Sequence, residues 1–277
     1  MRWSWRLHRT ADGRDVPVAL FLPPGYGPDT RLVVVLHGRL RNAAEYIEAW
    51  IDWAAVHDRV IACPRFDEDQ WPGSRGYNLG NLFTRDDGRG RLNPASAWAF
   101  TAVEEIARSV ATQLNLRSRR FDLWGHSAGA QVVHRFALFR PAAPVRWLIA
   151  AGAGWYTLPD PTLPFPYGTQ HPRLGLGASD LRRWTRGPLT IMRGADDTVR
   201  DEHLRTTDLA DRQGPTRWDR AAAMLRAART IDPLTGWRLV DVPRTAHDHQ
   251  AMARAAQRLL EMDDDGRGVN ASSRADE

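Results

Sequence analysis

Five residues, Gly125-His126-Ser127-Ala128-Gly129, stand between the apolar run Phe121-Asp122-Leu123-Trp124 and a helix-forming stretch from Gln131 to Phe139. A strand, a sharp turn with serine at its apex and a helix make the G-x-S-x-G nucleophile elbow, a motif that presupposes a sheet backed by helices. Glycines two positions either side of Ser127 leave room for strained backbone at the corner. The oncoming helix directs N–H groups and the positive end of its dipole toward charge developing on a substrate oxygen.

The rest of the chain reads as the surroundings such an elbow needs. Trp3 to Arg9 and Asp15 to Leu22 flank the turn pair Asp12-Gly13 and predict an opening hairpin. Arg31 to Leu36 is apolar without alternation after its first residue, as expected of a central strand covered on both faces. A helix follows from Asn42 to His57, a strand from Val60 to Cys63, and a long helix from Pro94 to Leu114 with Pro94 suited to its first turn. Further strands are expected at Val145 to Ala151, Pro188 to Met192 and Trp237 to Val242, with helices at Ser179 to Trp184, Arg217 to Arg229 and Gln250 to Met262. Alternating strands and helices demand right-handed crossovers onto one mostly parallel sheet, so the fold class is α/β with about eight strands. One domain over residues 1–262 is expected, with a disordered polar tail over 263–277.

Two segments are too long and too rich in Gly, Pro and aromatic residues to be plain connectors. They run from 65 to 93 and from 152 to 177, and both leave C-terminal strand ends, where ligands bind in open α/β sheets. They are read as walls of a substrate cleft, with Trp71, Tyr77, Trp155 and Tyr156 as substrate-binding candidates. Tryptophans on helices, such as Trp50, Trp53 and Trp98, are read as core.

Charge excludes one class of partner. All 38 basic residues are arginine and face 33 acids, a net charge of +5. They are scattered, with no block or stripe of one sign, so nucleic-acid binding is not expected. The N-terminus lacks an apolar stretch of signal-peptide length, and no run approaches the ~20 residues of a membrane span, so a cytoplasmic protein without membrane contact is expected. The single cysteine, Cys63, ends an apolar run and is read as a buried small hydrophobe.

A serine hydroxyl becomes an effective nucleophile only beside a base, and an imidazole base needs a carboxylate to hold its tautomer. After an elbow these follow in the order serine, acid, histidine, on loops behind later strands. Asp197 lies 70 residues past Ser127, behind Ile191-Met192-Arg193-Gly194, and His247 lies 50 residues further, behind Leu239 to Pro243. Position past the strand end favours Asp197 over Asp196 and His247 over His249, which stands where the last helix starts. His126 is read as elbow support, and His134 as packing on the sheet or bonding a loop. His37-Gly38 ends the central strand. Gly38 lets the chain curl so that the N–H of Arg39, with that of Ala128, forms an oxyanion hole, each donor worth about 3 kcal/mol of barrier. The Arg39 side chain is expected to be solvated at the cleft rim.

Leu36-His37-Gly38, the elbow, Gly194-x-x-Asp197 and His247 resemble the α/β-hydrolase superfamily. Arg41 to Tyr46, Gly125 to Gln131 and Gly152 to Tyr156 resemble bacterial esterases related to poly(3-hydroxybutyrate) depolymerases and dienelactone-hydrolase-like proteins. The resemblance implies a carboxylesterase-like serine hydrolase with Ser127, Asp197 and His247 as its triad, an acyl-enzyme intermediate, and no metal or organic cofactor. The expected partner is a small-molecule ester or oligoester with an apolar or aromatic part, bound by a monomer or homodimer. Two readings stand beside it: a peptidase or amidase with the same triad, and a catalytically silent member that binds a ligand or protein.

Overall fold

In a computed structural model of the protein, residues 2–264 are described. The opening hairpin pairs β1 (Ser4–Arg9) with β2 (Asp15–Phe21), and β2 continues antiparallel onto β4 (Arg59–Pro64). All remaining pairings are parallel and bring in β3 (Arg31–Leu36), β5 (Phe121–His126), β6 (Val145–Ala151), β7 (Thr190–Gly194) and β8 (Arg238–Val242). The sheet has eight strands in the order β1-β2-β4-β3-β5-β6-β7-β8. The fold is α/β, as expected.

Strand alternation divides two hydrophobic cores. Leu32, Val34 and Leu36 of β3 face one core, while Val33 and Val35 face the other. The first core is closed by α3 (Ala99–Gln113), α4 (Ala128–Phe139), α5 (Ala178–Arg186) and α7 (Arg217–Ile231), and the second by α1 (Ala43–Val56) and α8 (His249–Asp264). Two single-turn helices, α2 (Gly73–Gly76) and α6 (Asp208–Asp211), sit in the loops above the C-terminal strand ends. With both faces covered, β3 needs no polar side, which explains its apolar run from Leu32 to Leu36.

The strand expected at Pro188 to Met192 runs instead over Thr190–Gly194, and the largest boundary difference is at the third helix. Pro94 precedes a separate 3₁₀ turn, Ala95–Ala97, and the long helix starts only at Ala99 after Trp98, whose backbone is extended. The indole N–H of Trp98 donates to Asn93 O, and Thr101 Oγ1 to Ala95 O, so this turn is tied down by its own side chains. Most of the expected tail lies outside the described residues. No helix among those described is long and apolar enough to cross a membrane.

Candidate active site

Ser127 sits between β5 and α4 with φ 56° and ψ −113°, a conformation that side chains other than glycine rarely adopt. The corner is over-determined on both sides: Ser127 N–H donates to Ala151 O at 2.9 Å, and Gln131 N–H to Ser127 O at 3.2 Å. The flanking glycines permit it. A Cβ on Gly125 would lie 2.5 Å from the carbonyl of Gly129, and one on Gly129 would press on the carbonyl oxygens of Leu36 and His37. The elbow helix therefore crosses directly over the end of β3, which brings the His37-Gly38 turn to the serine.

The loops after β7 and β8 meet at the same place. Asp196 N–H donates to Thr245 O and Ala195 N–H to Val242 O, stitching the two loops together through backbone. His247 Nδ1 donates to Asp197 Oδ2 at 3.0 Å, and the Asp197 side chain is 4% exposed while Asp196 is exposed. The other oxygen, Asp197 Oδ1, accepts from Arg217 Nη1 at 3.3 Å. Arg217 in turn forks onto Asp201 at 2.6 and 3.0 Å, holding that carboxyl at about 2, below the usual range. His247 and Ser127 line one cavity of about 240 Å³ together with Gly38, Arg39 and His126. Asp197 and His247, 50 residues apart in the chain, are thus joined, and His247 faces the cavity that Ser127 also lines.

Four other histidines, His37, His126, His134 and His249, are tied into the surrounding structure. His37 is fully buried, donates from Nδ1 to Gly38 O at 2.8 Å and accepts the Phe66 N–H on Nε2 at 3.1 Å; burial pushes its pKa down to about 3. It therefore pins the turn carrying Arg39. Tyr77 Oη donates to His37 O at 2.8 Å from above. His126 shares a hydrogen bond with Tyr46 Oη through Nδ1 at 2.9 Å, and its ring centroid is 4.5 Å from that of His247. His134 bonds a loop, accepting Thr157 N–H on Nε2 at 3.0 Å. His249 stacks on Tyr46 at 4.5 Å, while Asp248 Oδ1 caps the last helix by accepting from Gln250 and Ala251.

A second cavity, of about 360 Å³, adjoins the first and shares Arg39, Ser127 and His203 with it. Both expected wall segments contribute: Glu68, Tyr77 and Asn78 from one, Gly154 and Trp155 from the other. Trp71 and Tyr156 are corrections to the sequence reading. Both are fully buried and outside the lining: Trp71 packs edge-on to Phe66 with Arg14 over its ring, and Tyr156 packs on His134. Both rings join the first hydrophobic core, the one closed by α3, α4, α5 and α7.

Sequence reasoning missed Gln131 and Arg205 in the cavity lining and Arg217 beside Asp197. Gln131 follows Ser127 by four residues on the elbow helix, the same face, which was a usable signal. Arg205 and Arg217 carry no comparable mark, because arginine on a polar segment reads as solvated. Among the described residues no group of three or more His, Cys, Asp or Glu side chains is placed to hold a metal ion.

No protein-family model and no curated protein sequence matches the chain. Solved structures do. Poly(aspartic acid) hydrolase-1 from Sphingomonas sp. KT-1 superposes with a TM-score of 0.87 at 31% identity, covering 94% of this chain and 98% of that one. LpqC, a poly(3-hydroxybutyrate) depolymerase from Bordetella parapertussis, gives 0.87 at 33% identity, covering 98% and 93%. An S-formylglutathione hydrolase from Agrobacterium tumefaciens, at 0.56 and 16% identity over 96% and 95%, shares the fold. With the elbow, the sheet order and two neighbours matched over nearly their whole length, the chain belongs to the α/β-hydrolase superfamily and is a hydrolase of the group that includes these two enzymes.

Proposed function

We propose that the protein is a serine carboxylic-ester hydrolase working through an acyl-enzyme. The observation that carries this reading is the 3.0 Å bond from His247 to buried Asp197, made beside a cavity that the strained Ser127 lines. Ser127 Oγ attacks the acyl carbon as His247 Nε2 takes its proton, and the carbonyl oxygen becomes an oxyanion held by the N–H groups of Arg39 and Ala128. Collapse breaks the bond to the leaving group, which takes the proton back from His247. Water then repeats the sequence on the acyl-enzyme: its proton goes to His247, its oxygen to the acyl carbon, and Ser127 leaves with the proton restored. The position a Cβ on Gly38 would take lies 3.7 Å from Ser127 Cβ, which supports Arg39 as a donor.

Poly(aspartic acid) hydrolase-1 and the LpqC depolymerase are named for different polymers. The name of the first favours keeping an amidase with the same triad as a second reading. Labelling by a fluorophosphonate tests the catalytic step. Wild-type protein is expected to be labelled and Ser127→Ala to be silent; folded wild-type protein that takes no label sinks the proposal and favours a ligand-binding role. Paired 4-nitrophenyl esters and 4-nitroanilides separate ester from amide preference.

A further inference from the structure

Gly38, in the turn that ends the central strand, is not required by its own backbone: its φ lies outside the left-handed region that other residues avoid. What forbids a side chain there is an oxygen. A Cβ on Gly38 would lie 2.8 Å from Tyr46 Oη, while the next nearest atoms, Ser127 Cβ and Tyr46 Cζ, are each 3.7 Å away, an ordinary contact. The hydroxyl of Tyr46, and not its ring, is therefore wedged against the turn that leads to the Arg39 N–H.

The same hydroxyl faces the other half of the site. Tyr46 Oη lies 2.9 Å from His126 Nδ1, and the ring centroid of His126 is 4.5 Å from that of His247. A Cβ on Gly152 would meet His247 Nδ1 at 3.3 Å and His126 Nε2 at 3.4 Å, so the two imidazoles pack on each other and on one stretch of backbone. Burial pushes the pKa of the Tyr46 phenol up and that of His126 well down, so the phenol keeps its hydrogen and the imidazole keeps a lone pair. His126 Nε2 has no partner among the described residues. With the phenol donating to Nδ1, only the Nε2 N–H is left unpaired. The opposite direction would leave both the phenol hydrogen and the Nε2 lone pair unpaired, so Tyr46 is the donor.

Tyr46 is itself held firmly. It belongs to the first turn of α1, is 4% exposed, stacks on His249 at the start of α8 with centroids 4.5 Å apart and planes at 16°, and packs on Trp124 of β5. A core position of this kind needs only a ring. The hydroxyl adds a fixed polar contact between two parts of the site that are distant in the chain: the turn after β3 and, through His126, the imidazole bonded to Asp197.

We infer that Tyr46 is a positioning residue for the hydrolytic reaction, its hydroxyl locking the Gly38-Arg39 turn in register with His247 by way of His126. The inference rests on the hydrolase reading and gives it a residue that acts through its neighbours. The oxyanion donor and the base must serve one carbonyl group at the same moment, and an error of about 1 Å in either costs up to about 100-fold in rate.

Tyr46→Phe removes one oxygen and keeps the ring. The variant is expected to lose about tenfold in kcat on 4-nitrophenyl acetate with KM within about twofold of wild type, and to take the fluorophosphonate label to full stoichiometry at a correspondingly slower rate. A hydroxyl that served stability alone would give the opposite split: fewer sites titrated by the label and an unchanged kcat per titrated site. His126→Leu, which deletes the acceptor, should cost about as much as Tyr46→Phe, and the double variant little more than either, because one connection is cut twice. His126→Asn, whose Oδ1 keeps an acceptor near the place of Nδ1, should recover part of the rate. Gly38→Ala sets a methyl group against the hydroxyl and should cost less in the Tyr46→Phe background than in wild type. Equal kcat for Tyr46→Phe and wild type, or losses at Tyr46 and His126 that multiply, overturns the inference and leaves the hydrolase reading standing. Should Tyr46→Phe fail to fold, His126→Asn and His126→Leu decide: equal rates for the two overturn the inference. Wild-type protein that neither turns over nor takes the label overturns the hydrolase reading, and this inference with it.

Discussion

Arg217 is a buried guanidinium between two carboxylates, and its geometry says which of them it serves. The fork onto half-exposed Asp201 fixes the guanidinium, and the single longer contact to Asp197 Oδ1 then limits how that carboxylate can turn. With Oδ1 held by arginine and Oδ2 by His247, the Asp197 carboxylate has one orientation. Arg217→Met is therefore expected to lower kcat by roughly 10–100-fold through misplacement of His247, with KM changed less. Arg217→Lys, which keeps charge but loses the fork, should recover part of the rate. Asp197→Asn presents the wrong hydrogen-bonding group to His247 and should cost more, up to about 10⁴-fold. Steady-state kinetics on one chromogenic ester ranks the three. A rate for Arg217→Met equal to wild type would show that the contact to Asp197 orients nothing.

At the scale of elements, the approach of α4 to β3 is what gathers the site. A methyl group on Gly129 would meet the carbonyls of Leu36 and His37, both on the segment that leads into the Gly38-Arg39 turn. Gly129→Ala is expected to cost about 3 kcal/mol or more of stability and to lower activity further than that loss explains, read by chemical denaturation and by kinetics at a temperature where the variant is folded. Elements of this kind were legible because their pattern is local: an unbroken apolar run marked β3, helical spacing marked α1, and a shared apolar face marked α3. The pairing of Asp197 with His247 was legible because both follow the ends of late strands. The long loops were only half legible. Their aromatic content predicted Tyr77 and Trp155 at the cleft, yet the same content placed Trp71 and Tyr156 in a core, and composition alone does not distinguish a ring that lines a cavity from one that fills it. Pro94 misled for a related reason: its fixed φ suits a 3₁₀ turn as well as the first turn of an α-helix, and the side-chain bonds of Trp98 and Thr101 decide between them.

The whole molecule depends on histidines that cannot take up a proton where they sit. His37 and His134 each donate from Nδ1 to a backbone carbonyl and accept a backbone N–H on Nε2, so protonating Nε2 breaks a bond and sets donor against donor. His126 is buried against His247, and burial first, then the neighbouring histidines and Arg217, hold its pKa well below the usual value. Burial does the same to His134, and brings His37 to about 3. In the unfolded chain these rings titrate near the ordinary value of about 6.5. Above that pH the folded and unfolded chains bind no protons there and stability is fully present. Below it the unfolded state gains protons that the folded state refuses, so stability falls by up to about 1.4 kcal/mol per pH unit for each ring. Asp201, held at about 2 by Arg217, acts in the same direction only below about pH 4. The urea midpoint is therefore expected to drop steeply between pH 7.5 and 5.5, and His134→Gln, compared with its own value at pH 7.5, should show a shallower drop. Because His37 holds the turn before Arg39 and His134 holds the segment behind the cavity wall, activity should be lost irreversibly on long acid exposure before secondary structure is. A midpoint flat across that interval would mean that the folded protein accommodates these protons, contrary to the hydrogen bonds drawn by both rings.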